Sequence, residues 1–340
     1  MKRRTLLAGA ASLAGCAIDR RPRLNVYTWS SYLAASTIPD FEAEFGVRVR
    51  VGIYESVEEM LAKAMTGNSG WDIVFPSANF IFPMRQMGLL ARINHSAIHN
   101  LDKLAPRFRA PAWDQQLDWS VPYMTGTTGI IYSMAIQPAP TSWADLWDRR
   151  LGGRLTMLDD PPEVIGSALK KLGYSLNSTD PAELDRAKRE ATVQKPLVRA
   201  YLNIEARDQL VAGDIAAAQG WATTAAQAIA ANSALAFSFP REGFPMYTDC
   251  AVILRESRRA ELAHRFIGYL LRPAVNAAVA IESRTATCNH AALALLPPEV
   301  RDDPVLYPTD SVLARGEWFE PMPAAAQRLR DRIWTEIKSS

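Results

Sequence analysis

Leu24-Asn25-Val26-Tyr27-Thr28-Trp29, then a helical stretch over 36–45, then Val47-Arg48-Val49-Arg50-Val51-Gly52-Ile53: this is the segment on which the fold turns. The first run is rich in apolar and aromatic residues that suit a pleated strand. In the last, Val47, Val49, Val51 and Ile53 alternate with Arg48, Arg50 and Gly52, which predicts a strand with one polar face. Ser56 followed by Glu59 reads as a capping box, and the helix it opens should run to about Thr66, where Gly67 stops it. Trp71-Asp72-Ile73-Val74-Phe75-Pro76 reads as a short buried strand. Strand alternating with helix implies an α/β fold, a mixed or parallel sheet with helices on its faces.

Later segments repeat the style. Asp180-Pro181-Ala182-Glu183 is a helix start: Asp caps, Pro takes the first turn, and Glu faces the positive end of the helix dipole. A helix over 257–271 is interrupted or ended by Pro273. At 340 residues the chain exceeds one ordinary core, and no low-complexity linker divides it. Two lobes sharing several chain crossings are therefore expected. Ligands of open α/β sheets sit beyond the carboxyl ends of strands. Trp29, Pro76-Ser77 and Asp159-Asp160 all follow strand-like runs.

The N-terminus adds a location. Lys2-Arg3-Arg4 precedes a short apolar run from Thr5 to Gly15, well under the ~20 residues a membrane span needs. Residues 1–16 read as a signal peptide. Leu13-Ala14-Gly15-Cys16 is similar to a lipoprotein processing box, which would make Cys16 a lipidated first residue; ordinary cleavage nearby is the alternative. Arg3-Arg4-Thr5-Leu6-Leu7 also resembles a twin-arginine signal. The expected location is periplasmic or extracytoplasmic, with a membrane anchor if Cys16 is lipidated. Losing three basic residues takes the formal charge from +2 to −1, and no basic patch points to nucleic acid. Cys250 and Cys288 remain, as a disulfide or as two buried thiols.

Enzyme chemistry finds little support. The four histidines are His95, His99, His264 and His290, and no Gly-x-Ser-x-Gly elbow occurs. His95 and His99 have metal-binding spacing, but no acid or cysteine completes a set. There is no phosphate-binding glycine-rich loop or dinucleotide fingerprint, so no cofactor and no catalytic residue is expected.

Several motifs together carry a resemblance. Tyr27-Thr28-Trp29-Ser30-Ser31-Tyr32, Tyr54-Glu55-Ser56, Asp72-Ile73-Val74-Phe75-Pro76-Ser77 and Thr141-Ser142-Trp143-Ala144-Asp145-Leu146-Trp147 occur in that order. Leu172-Gly173-Tyr174, Leu270-Leu271-Arg272-Pro273 and Gly316-Glu317-Trp318 follow. In content and spacing the series resembles the bacterial periplasmic spermidine/putrescine-binding proteins, the solute-binding components of ABC importers. The resemblance implies a two-lobe periplasmic-binding-protein fold with a hinge and an interlobe cleft. It places residues 24–126 with 248–292 in one lobe and 127–247 with 293–340 in the other. It implies a monomer that hands a polyamine (putrescine, spermidine or a related cationic amine) to permease subunits in the inner membrane. A receptor of the same fold serving another small organic solute, or a sensor, is the alternative.

A polyamine is a methylene chain punctuated by ammonium groups. Each ammonium needs oxygens to replace its hydration, and aromatic faces suit both the methylenes and the charge. The family pattern carries over onto Trp29 and Tyr32 as one aromatic wall, and onto Ser30 and Ser77 as hydroxyl ligands. Asp160 and Glu163 match an acid pair, and a spacing of three puts both on one side of a helix start. Trp221 matches a second wall, Tyr247 stands where the family often has Trp, and Asp249 matches an acid near the hinge. Each has a duller reading: the tryptophans as core, Asp160 as a helix cap, Asp249 as a turn residue. Four positions depart from the pattern. Ser31 replaces an acid, Asn79 and Thr285 replace aromatics, and Phe319 replaces an amide donor. A ligand with fewer ammonium groups, or with a different group at one end, follows.

Overall fold

The computed structural model describes residues 19–340. The signal-peptide reading of 1–16 and the lipidation of Cys16 lie outside the described residues. Eleven strands form among those described: β1 (Arg23–Trp29), β2 (Arg48–Tyr54), β3 (Ile73–Val74), β4 (Val121–Ser133), β5 (Leu155–Met157), β6 (Val198–Tyr201), β7 (Ala217–Trp221), β8 (Leu235–Ser238), β9 (Phe244–Ile253), β10 (Ala286–Thr287) and β11 (Gly316–Trp318). The helices that matter to the site are α1 (Thr37–Phe45), α2 (Val57–Ala64), α3 (Ile81–Gln86), α4 (Pro161–Lys171), α5 (Pro181–Gln194), α6 (Ala206–Ala212), α7 (Ala222–Ala231), α8 (Ala260–Leu270) and α9 (Pro273–Ser283).

Strands follow the order β2-β1-β3-β9-β4-β7-β5-β6, with β8 and β10 also on β4 and β11 on β9. β1 is parallel to β2 and β3, and β5 is parallel to β6 and β7. The expected α/β class with helices packed on a mixed sheet is the class observed. Two long strands join the halves. β4 pairs through Val121–Thr127 with β9, and through Thr128–Ser133 with β7 and β8. β9 meets β3 at its end and β11 at its start. One half closes on Val26, Ile73, Phe75 and Tyr123, the other on Ile130, Trp143, Leu155 and Phe244. Each such side chain contributes roughly 1.5–3 kcal/mol on burial, and a cleft opens where β4 and β9 pass from one core to the other.

Several local expectations hold, and some need correction. Asp180 caps α5 through the Ala182 N–H at 2.7 Å. Trp143 is buried in the core. Ser56 caps α2 through the Glu59 N–H at 3.1 Å, but Glu59 does not return to Ser56. Its carboxylate accepts from the Glu55 N–H and from Tyr27 Oη instead. The helix stops at Ala64, two residues before Thr66. Pro273 begins α9 after α8 has ended, because proline suits the first turn of a helix. Only Ile73–Val74 of the expected 71–76 strand pairs as one.

The larger correction is β2. Val47 is buried and Val49 packs on the core, as expected of the apolar face, but further along Val51 and Ile53 are 38% and 47% exposed, while Gly52 on the other face is covered. Trp71 stacks on Tyr27 at 4.7 Å and lies across Gly52, where a Cβ would meet its ring at 2.4 Å. Arg50 closes the stack from above, 4.4 Å from the Trp71 ring. An edge strand lets a long cation serve as a lid, which alternation alone does not reveal.

Cys250 and Cys288 are both free and buried. They flank β4 on opposite sides, Cys250 opposite Pro122 and Cys288 bonded to the Tyr123 carbonyl. Strands two places apart are separated by about 9.5 Å, beyond disulfide reach.

Candidate functional site

The cleft holds a cavity of about 180 Å³, and all nine positions singled out from the sequence line it. Trp29 ends β1, and the chain turns at Ser30-Ser31, with Ser31 at φ 58°, before reaching Tyr32. Ser77 follows β3 and bridges to Asp249. Asp160 and Glu163 come from the start of α4, Trp221 from the end of β7, and Tyr247 and Asp249 from β9. Alternation along β9 puts its two contributions on one face.

At one end stands Asp249, 3% exposed. Ser77 Oγ donates to its Oδ1 at 2.6 Å, and Tyr32 Oη donates to its Oδ2. Burial lifts the carboxyl to about 6, against the pull of those two hydroxyls. Tyr32 is itself positioned from behind, because Tyr123 Oη donates to its carbonyl at 2.9 Å. Trp29 spends its Nε1–H on the Phe75 carbonyl at 2.9 Å and packs on Tyr54 at 4.5 Å, so the indole is fixed.

At the opposite wall stands Glu163, 2% exposed. Its Oε1 accepts from Thr128 Oγ1 at 2.7 Å and from Trp221 Nε1 at 3.2 Å. Its Oε2 is buried and has no hydrogen-bond partner among the described residues. Burial, and then the nearby Asp160 charge, holds the Glu163 carboxyl well above the usual range. Burial, and then Glu58, does the same for Asp160. Asp160 also caps α4, accepting the Glu163 N–H at 3.1 Å. The cap reading and the cavity-wall placement therefore hold together: capping occupies Oδ1 while the residue still lines the cavity. Capping also locks Glu163 into the first helical turn.

Tyr247 occupies space that only a glycine leaves free. A Cβ on Gly126, its partner across the β4–β9 ladder, would lie 2.4 Å from the tyrosine oxygen. Of the four departures, Ser31, Asn79 and Phe319 line the cavity. Thr285 does not: it is buried beside α7, its hydroxyl 3.1 Å from that of Thr223.

Sequence reasoning missed Thr128, Arg207 and Gln227, and it singled out Tyr54 only within a motif and Gly126 only as a lobe boundary. Arg207 lines the cavity, with Nε on Asp208 at 2.9 Å and Nη1 on Gln227 Oε1 at 3.1 Å. Gln227 in turn donates to the Ser283 carbonyl at 2.7 Å. A lone threonine, glycine or arginine carries no local signal, because its role depends on what pairs with it across the sheet or cleft. Chemically, the site offers buried carboxylates between indole and phenol faces, which is an arrangement for holding an organic cation.

The comparisons with known proteins agree in range and kind. Residues 36–308 match the model of the bacterial extracellular solute-binding proteins. The chain is 35% identical to the spermidine/putrescine-binding periplasmic protein of Escherichia coli strain K12, covering 99% of this chain and 98% of that one. It is 31% identical to the putrescine/cadaverine-binding protein of Pseudomonas aeruginosa, covering 98% and 97%. The solved structure of the TpPotD lipoprotein of Treponema pallidum is similar, with a TM-score of 0.84 at 29% identity over 93% of this chain and 99% of that one. That likeness spans both lobes, so the two-lobe architecture expected from the sequence is the one adopted. The family is one of substrate-binding proteins of ABC transporters and is not an enzyme class. The chain belongs to the bacterial extracellular solute-binding protein family.

Proposed function

We propose that this protein captures a polyamine in its interlobe cleft and delivers it to the permease subunits of an ABC importer. The observation that carries the reading is Glu163. A carboxylate 2% exposed, with one oxygen lacking any protein partner, faces a cavity shared with Asp160, Asp249 and two indoles. Leaving such an oxygen buried costs about 1–3 kcal/mol or more. An ammonium group removes that cost and gains its own counter-charge. The aromatic faces of Trp29 and Trp221 hold methylenes and add cation–π attraction of roughly 0.5–2 kcal/mol each. The curated relatives are named for spermidine, putrescine and cadaverine, which fits this chemistry.

In this reading the lobes are 24–126 with 248–292, and 127–247 with 293–340. They close by bending at β4 and β9. Asp249 sits on β9, so gripping an amine there couples to closure. The protein works as a periplasmic monomer, anchored through a lipidated Cys16. A thermal-shift screen against putrescine, cadaverine, spermidine, spermine, agmatine and common amino acids tests the ligand. A binder at one hundred times its Kd stabilises by about 2.7 kcal/mol. Stabilisation by an amino acid and by none of the amines would sink the reading.

A further inference from the structure

The cleft is not acidic all round. Asp249 stands at one wall and Asp160 with Glu163 at another, while the α6–α7 side presents Arg207, Asn203, Ile204 and Gln227. Arg207 is tied to Gln227, and Gln227 to the Ser283 carbonyl at the end of α9. Glu282, beside Ser283 in α9, accepts the Ala35 N–H at 2.8 Å. Ser31 and Arg207 both line the cavity. There the turn offers a hydroxyl, and α6 offers a guanidinium that never loses its charge.

We propose that Arg207 is a specificity residue, a positive stop that limits the ligand to two ammonium groups and selects diamines over triamines. The inference rests on the amine reading of the cleft. Asp249 and the Asp160–Glu163 pair supply anchors for two ammonium groups. A third, extending toward α6, meets a fixed cation where Ser31 gives no counter-charge. Asp208 pairs with Arg207 from outside, 75% exposed, so it screens the guanidinium only in part. Two more acids stand on the α6 side: Glu205, which accepts the Asn203 N–H at 3.0 Å, and Glu55, an exposed cavity-lining residue whose carbonyl accepts from Asn203 Nδ2 at 3.2 Å. Glu55 is the natural anchor for a third ammonium if Arg207 does not act as a stop.

The test is calorimetric titration of the mature protein with 1,4-diaminobutane and with spermidine. The wild type should bind the diamine more tightly. For two like charges about 8 Å apart across a partly wet cleft, Coulomb's law gives a penalty of roughly fivefold in affinity. Arg207→Gln should therefore improve spermidine about fivefold while changing the diamine little, and Ser31→Glu should act in the same direction. Arg207→Lys keeps a cation at the same place and should keep the wild-type ratio. Three results overturn the stop: an unchanged ratio in Arg207→Gln, an equal shift in Arg207→Lys, or a wild type that prefers spermidine. If the wild type binds neither amine, the amine reading itself fails. If it binds both with one affinity that Arg207→Gln does not alter, only the specificity inference fails.

Discussion

Replacing Asp249 by asparagine should stabilise the ligand-free protein at neutral pH and weaken it as a receptor. The carboxyl titrates at 3.8 when unperturbed and at about 6 in the folded protein. Below pH 3.8 both folded and unfolded chains hold the proton. Between 3.8 and about 6 only the folded chain holds it, so unfolding releases a proton and stability falls as pH rises. Above about 6 both states are ionised and the loss is complete. The shift is about two units at 1.36 kcal/mol each, or about 3 kcal/mol. Asparagine lacks this titration. It still meets Tyr32 and Ser77, whose hydroxyls can donate or accept, and any cost of those altered bonds is the same at every pH. Urea unfolding of both proteins without ligand, at pH 4 and pH 7.5, isolates the effect. The difference should move by about 2.4 kcal/mol in favour of Asp249→Asn at the higher pH, because at pH 4 the unfolded carboxyl has already lost part of its proton. A difference that moves by less than about 1 kcal/mol, or the other way, would refute the argument that burial makes this carboxylate costly. The same variant should lose most of its stabilisation by amines, so that the residue weakening the free fold is the one holding the ligand.

Two further outcomes follow from the same geometry. Amine affinity should fall as pH drops from mildly alkaline values, first as Glu163 and Asp160, whose carboxyls are held highest, take up protons, and again through about 6 as Asp249 does, because these groups must be ionised to hold an ammonium that stays charged throughout. Titration calorimetry across about pH 5–8.5 reads this directly. Gly126→Ala should displace Tyr247, since the added Cβ falls 2.4 Å from its oxygen, and should lower amine affinity about tenfold or more. An alanine variant that binds as the wild type does would show that Tyr247 can move without consequence.

Some of this site was legible in the chain itself. Asp160-Pro161-Pro162-Glu163 encodes a cap, a rigid first turn and a second acid three residues on. That local geometry puts both carboxyls at one helix start in the structure. Trp29 and Ser77 end strand-like runs, where an α/β sheet presents its ligand positions. What could not be read was which distant groups meet them. Alternation in β2 predicted a polar outer face, yet Trp71 covers that face, because the edge position lets Arg50 close over the ring.

The sequence by itself therefore determined the α/β class, the family and the nine positions that come to line the cavity, because strand pattern, caps and spaced acids are local properties. Tertiary structure alone decided how those residues behave. Asp249 has its carboxyl raised by burial while bonded to partners 172 and 217 residues away. Tyr247 fits because the facing residue is glycine, and Arg207 enters the cleft only when α6 packs beside α7. Desolvation and contact depend on what surrounds a group in space, and that is settled only when the lobes are built and brought together.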